Sequence, residues 1–224
     1  MKNVYLFVVI MLTLVTYSQE KVIDTIKKKE KKFSMYYGGN VSFNDDFNLN
    51  KKLRNSNLPE LKTSIPEFVF GLNYYWKKYS GDAEFGFLYS KSDKGANETK
   101  QMGFNSRIRV HYNLVDRKKF AFTTGLSVAY TGNEYDIFNK NNTIDLNDLE
   151  PNNNSGHVNF TNGMLYFGPS TSFYFFRKSD WIVRLNIGYE FALTRGRYDS
   201  EFGSVINNIG ESGNNRFFVG IVFK

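Results

Sequence analysis

From Phe33 onward, apolar and polar residues alternate along the chain with a period of two. That period puts one set of side chains on each face of an extended strand. In residues 33–43 one face carries Phe33, Met35, Tyr37, Val41 and Phe43, and the other carries Ser34, Tyr36, Gly38, Asn40 and Ser42. The pattern returns in residues 68–76, 83–89, 102–114, 120–130, 165–175, 181–191 and 217–223, and is weakest where Pro169 and Thr171 interrupt it. It predicts eight strands.

The connections between these stretches alternate as well. Residues 77–82, 115–119 and 177–180 are short polar turns. Residues 44–64, 91–99, 132–163 and 194–215 are longer and rich in Asn, Asp, Gly and Ser, and each follows an odd-numbered strand. An up-and-down antiparallel barrel accounts for this, with long loops at one rim and short turns and both termini at the other.

A soluble lipocalin-like barrel and a membrane-spanning one both alternate, so the character of each face decides between them. The polar face holds mainly Gly, Ser, Asn, Thr and Tyr, with few charges, where a water-facing surface would carry many Lys and Glu. Each strand sets a Gly on that face: Gly38, Gly71, Gly86, Gly103, Gly125, Gly168, Gly188 and Gly220. Glycine weakens a strand, and a narrow, crowded interior gives a reason for it, since it leaves room for Tyr36, Tyr75, Tyr166 and Tyr174. The apolar face carries rings of Phe, Tyr and Trp near strand ends, as expected of interfacial girdles in lipid. The sequence therefore predicts an all-β, eight-stranded transmembrane barrel, with a soluble periplasmic binding barrel as the alternative.

Composition agrees. The chain holds 22 Phe and 15 Tyr. Its mean hydropathy of −0.44 does not favour helical spans, which need roughly 20 consecutive apolar residues. Residues 1–18 read as a secretory signal, with Lys2 as the positive region, residues 4–15 as the apolar run and cleavage after Ser18. Residues 19–32 read as a charged periplasmic linker, and residues 33–224 as the barrel. The net charge of +7 does not make a nucleic-acid surface, because it sits in a run at residues 27–32 and in short turns. With no Cys, disulfides, thiolate metal sites and a lipid anchor on Cys are excluded from the reading.

The architecture and the last strand, Arg216-Phe-Phe-Val-Gly-Ile-Val-Phe-Lys224, resemble the small outer-membrane β-barrels of Gram-negative bacteria, of the OmpA-like transmembrane type. Members commonly close on an aromatic residue. Here that residue is Phe223, and Lys224 departs from the pattern by following it. The resemblance implies export to the outer membrane and a monomer in contact with outer-membrane lipid and lipopolysaccharide. It also implies recognition of the final strand by barrel-assembly machinery. No peptidoglycan-binding domain is expected after the barrel.

Candidate chemistry is sparse. Glu67, Glu84, Arg107, Arg109, His111, Arg184 and Glu190 have inward parity. Buried charges are costly unless paired, so they predict an acid–base network that plugs the barrel. Hairpin counting sets Glu84 near Arg107, and Arg109 opposite the gap at Gly125. An ion path or narrow pore is the functional alternative. A lipid-acting enzyme would want a nucleophile activated by His. His111 near a short turn shows no obvious inward acid–Ser pair, and His157 falls in the longest loop. Asp145, Asn147, Asp148 and Glu150 could offer oxygen ligands to a hard cation but lack the EF-hand pattern. The expectation is a non-enzymatic barrel without cofactor, metal or catalytic residues, either structural or presenting its loops to a partner.

Overall fold

The computed structural model describes residues 33–76, 78–117, 119–143, 156–177 and 182–224, with Trp76 described by its backbone alone. The expected signal and linker, the Asp145–Glu150 cation candidate and Trp181 lie outside the described residues.

The elements in order are β1 (Phe33–Asn44), α1 (Asn48–Asn55), β2 (Ser64–Trp76), β3 (Tyr79–Lys94), β4 (Asn97–Asp116), β5 (Phe120–Asn139), β6 (His157–Phe175), β7 (Val183–Ala192), β8 (Tyr198–Asp199) and β9 (Arg216–Phe223). Consecutive strands from β1 to β7 pair antiparallel, β9 pairs with β7, and β1 closes the ring on β9. The two-residue β8 adds only to the upper part of β6, at Thr161 and Asn162. The fold is thus an all-β, eight-stranded antiparallel barrel. The first and last barrel strands meet near one rim, with Tyr37 opposite Phe223.

The period-two alternation survives in three dimensions. Met35 is 71% exposed and Val110 is 60% exposed, while Arg107 and Glu190 are at 0%. Charged groups are inside and apolar ones outside, the reverse of a soluble protein. All eight glycines of the polar face share the inward parity. At Gly71 the space is used at once: an added Cβ would run into the Tyr36 ring and come 2.5 Å from the Ala83 carbonyl oxygen.

Several strands outrun their expected length. β3 and β4 continue to Lys94 and from Asn97, joined by a tight turn in which Gly95 has φ +61. The long loop expected at residues 91–99 is therefore replaced by a continuous hairpin. β5 and β6 likewise occupy much of the loop expected at residues 132–163. At this height the outward positions include Lys91, Asp93, Lys100 and Asp136, so no apolar alternation marks the strand. The expected loop at residues 44–64 contains α1, which turns Leu49 and Leu53 inward.

Candidate functional site: a filled lumen

The lumen is layered. Its upper mouth is closed by an apolar cluster. Phe47, Leu49, Leu53 and Leu61 come from the segment around α1, and they meet Ile65, Leu88, Tyr135 and Ile137 from the strands and Tyr198 from β8. No side chain of its own caps α1 at its first turn. Glu211, carried on the connection between β8 and β9, takes that place. Its carboxylate accepts hydrogen bonds from the Asn48 and Leu49 backbone N–H groups at 2.7 and 3.0 Å. Those donors have no partner within the helix, and a carboxylate suits the positive end of the helix dipole. The Tyr198 hydroxyl donates to the same carboxylate at 2.6 Å, so α1 and β8 are held by one residue. Burial, aided by the neighbouring Tyr135 and Glu211, raises the Tyr198 hydroxyl far above its ordinary value.

Below the cap lies an ionic layer. Glu84, on β3, faces Arg107 in register on β4. Its carboxylate accepts from Arg107 Nη1 at 2.6 Å, Asn40 Nδ2 at 3.0 Å and the Tyr36 hydroxyl at 3.3 Å, and it is bound also by Arg109. Arg109 Nε donates to Asp82 at 2.9 Å, and Arg184 binds the other oxygen of Asp82. Across the lumen, Arg107 Nε donates to Glu190 at 2.7 Å, and Arg216 Nε donates to Glu190 at 2.6 Å. Arg216 continues to Thr131 and Asn105, and Asn105 donates to Glu67 at 3.2 Å. Ser42 supplies a second donor to Glu67.

Aromatic faces complete the layer. Arg107 lies over Phe218 at 4.0 Å, Arg184 over Tyr36 at 4.1 Å and Arg216 over Tyr166 at 4.0 Å. Such stacking suits a planar guanidinium with little water around it. Four carboxylates and four guanidiniums share the layer, so its formal charge balances.

Each inward residue singled out in the sequence is therefore buried in the lumen: Glu67, Glu84, Arg107, Arg109, His111, Arg184 and Glu190. Glu67 is reached by neutral donors instead of an Arg. Asp82, Arg216 and Glu211 are additional. Asp82 and Arg216 have inward strand parity but lie just outside the limits that apolar alternation sets for the strands, and Glu211 lies on a connection, where parity gives no signal.

One register differs from expectation. Gly125 faces His111, and Arg109 faces Ser127. β4 runs on to Asp116, the turn falls later than the hairpin count assumed, and an irregularity between Asn113 and Val115 absorbs one residue. The gap at Gly125 is crossed by His111. Gly125 lies between His111 on β4 and Ser170 on β6 in the same register. The His111 Nε2 lies 2.8 Å from Ser170 Oγ, and its Nδ1 lies 2.9 Å from Thr123 Oγ1. A Ser therefore stands beside His111, and the partner of the other ring nitrogen is the Thr123 hydroxyl. A hydroxyl holds the position where a hydrolase triad places a carboxylate. His157 pairs with Asp136 at 2.8 Å on the exposed upper hairpin.

No family model and no curated protein matches this chain. Solved structures similar to it include Ail, the attachment invasion locus protein of Yersinia pestis, at 6% identity and a TM-score of 0.46, covering 85% of this chain and 96% of that one. Neisserial surface protein A is similar at 10% identity and a TM-score of 0.41, covering 86% and 98%. The transport unit of the autotransporter AIDA-I from Escherichia coli is similar at 8% identity and a TM-score of 0.34, covering 95% and 96%. All three are outer-membrane β-barrels.

Proposed function

We propose that this protein is a non-enzymatic outer-membrane β-barrel, plugged along its lumen and capped at its outer mouth, that presents its upper loops as a structural or partner-facing surface. The observation that carries this reading is the inversion of its two faces. The inward rows hold the ionic layer, while exposed Phe, Tyr, Leu, Ile and Val form the outward rows. A large exposed apolar surface needs an apolar partner, and a band around a closed barrel fits a bilayer. Lipid and lipopolysaccharide would meet that band. The outward-facing Phe223 on β9 supports recognition of the last strand during assembly.

The plug follows from width. A barrel of eight strands has an interior that its own side chains fill, and here they are bonded to one another. The hydroxyl partners of His111 favour a structural role for that residue over hydrolysis.

Membrane fractionation and gel migration test the reading. The protein should pellet with the outer membrane, and unboiled and boiled samples in detergent should migrate differently. Recovery in the soluble periplasm with identical migration would overturn it.

A further inference from the structure

The inward glycines make room for the barrel's own side chains. Gly132 on β5 and Gly163 on β6 face the other way, and they stand in register with each other. A glycine within a strand often marks a place where a ligand or another chain comes close. The Phe104 ring leans across Gly132, and the Tyr130 hydroxyl reaches over Gly163. A Cβ at either glycine would lie 2.7 Å from that neighbour. What remains is an open depression of about 410 Å³ in the outer wall of β4, β5 and β6. Ligand pockets span about 300–1,000 Å³.

The depression sits where the apolar band ends. At its lower edge Tyr130 faces Leu165, and at its floor Phe104 faces Gly132. The Phe104 and Tyr130 rings lie 5.8 Å apart and are 50% and 44% exposed. One row higher, Met102 faces Glu134, and Glu134 faces Thr161. In the next row Lys100 faces Asp136. The wall thus passes from rings to charges across the depression. Arg197 and Asp199 complete its upper lip from the β8 segment. Both acids of the lip already have donors. Glu134 accepts from Asn159 Nδ2 at 2.8 Å, and Asp199 accepts from the Ser200 backbone N–H at 2.9 Å. Arg197 is exposed, and its guanidinium has no partner among the described residues.

Resting on the reading of the protein as an outer-membrane barrel, we infer that this depression seats one lipid of the outer leaflet whose headgroup carries a phosphate. Its chains lie against Phe104 and Tyr130 over the two glycines, and Arg197 meets the phosphate. Aromatic residues at a membrane boundary mark the level of the headgroups. A guanidinium suits phosphate oxygens because its N–H donors can bind them in pairs. A lipid standing in the leaflet has the same order as this wall, hydrocarbon below and anion above. A soluble anion would use Arg197 and leave the aromatic floor uncovered.

Lipid retention by the full protein in detergent, counted by native mass spectrometry, tests the site. The probes are phosphatidic acid and the diacylglycerol with the same chains, which differ only in the phosphate. The unaltered protein should retain one phosphatidic acid through delipidating washes, and about tenfold less diacylglycerol, as expected for one charged hydrogen-bonded contact. Arg197→Gln should lower retention of phosphatidic acid by about tenfold and leave that of diacylglycerol unchanged. Gly163→Leu, which fills the depression, should lower retention of both. The heat-dependent gel shift reports on folding in each case. Equal retention of the two lipids, no retention of either, or equal retention of phosphatidic acid by Arg197→Gln and the unaltered protein overturns the inference. If the gel shift is present, the barrel reading stands. Absence of retention and of the gel shift in the unaltered protein overturns both. If Gly163→Leu does not fold, Arg197→Gln decides, because its substitution lies on an exposed connection.

Discussion

Glu84 is the residue on which most of the interior converges. It is 1% exposed and bonds two Arg, one Asn and one Tyr. Glu84→Ala leaves Arg107 and Arg109 short of a counter-charge in a place they cannot leave. The expected loss is about 3–5 kcal/mol of stability, the range for breaking a buried pair by removing one partner. Glu201→Ala, on an exposed connection, should change stability by less than about 0.5 kcal/mol. Urea titrations in detergent compare the two, and equal midpoints would show that the layer is not tightly bound. Gly71→Ala probes space instead of charge. The new methyl group must displace the buried Tyr36 ring or the Ala83 carbonyl. A loss of about 1–3 kcal/mol is expected from overpacking, read from the same titration. These residues were largely legible in the sequence, because side-chain parity in a strand depends only on counting. Which acid meets which base was less so. The Arg109–Gly125 pairing failed for that reason: one irregularity and a displaced turn change every partner along a hairpin without changing parity.

Among the elements, the cap is the least stably built. α1 has eight residues, too few to be stable by itself in water, and it is held by Leu49, Leu53 and the carboxylate of Glu211. Glu211→Ala frees the first N–H groups of α1 and removes the partner of the Tyr198 hydroxyl. Hydrogen exchange in residues 48–55 should quicken by the equivalent of about 0.5–2 kcal/mol, the scale of a lost helix cap, while exchange in β4 and β5 stays unchanged. Acid should act on the same element. The Asn50 amide hydrogen bond, with the Arg54 guanidinium behind it, holds the Asp46 carboxyl below its ordinary value. A carboxyl depressed by folding stabilises the folded state above its unfolded pKa and loses that contribution as pH falls through its folded pKa. Protection of α1 should therefore be steady from neutrality down to about pH 4, the ordinary carboxyl value, and decline below it. Asp46→Asn should lack the part of this decline that Asp46 causes, and an unaltered acid profile would remove Asp46 from the account. The cap was the part of the fold least visible in the sequence. Two leucines one turn apart in a run of Asn and Lys give almost no periodic signal. The upper halves of β3 to β6 were obscured for a related reason: above the apolar band their outward residues meet water, and alternation in hydropathy disappears although the strand continues.

At the scale of the whole molecule, the apolar cap and the ionic layer lie in series across one lumen. Protein reconstituted in a planar bilayer should pass no steady ionic current above the bare membrane. A stable single-channel conductance in the unaltered protein would contradict the plug. The barrel itself and the direction of its faces were legible because they are repeated in every strand. The ionic layer also carries information about the order in which the molecule comes together. β1 is made first and finds β9 only when the end of the chain exists, so its open edge must be shielded throughout that interval. Charge does not wait so long. Asp82, Glu84, Arg107 and Arg109 all belong to the β3–β4 hairpin, and Glu190 and Arg216 face each other on β7 and β9. Each set is neutral before it meets the other. The contact of Arg107 with Glu190 joins two units already balanced, so these groups need not enter the membrane as bare charges awaiting a distant partner.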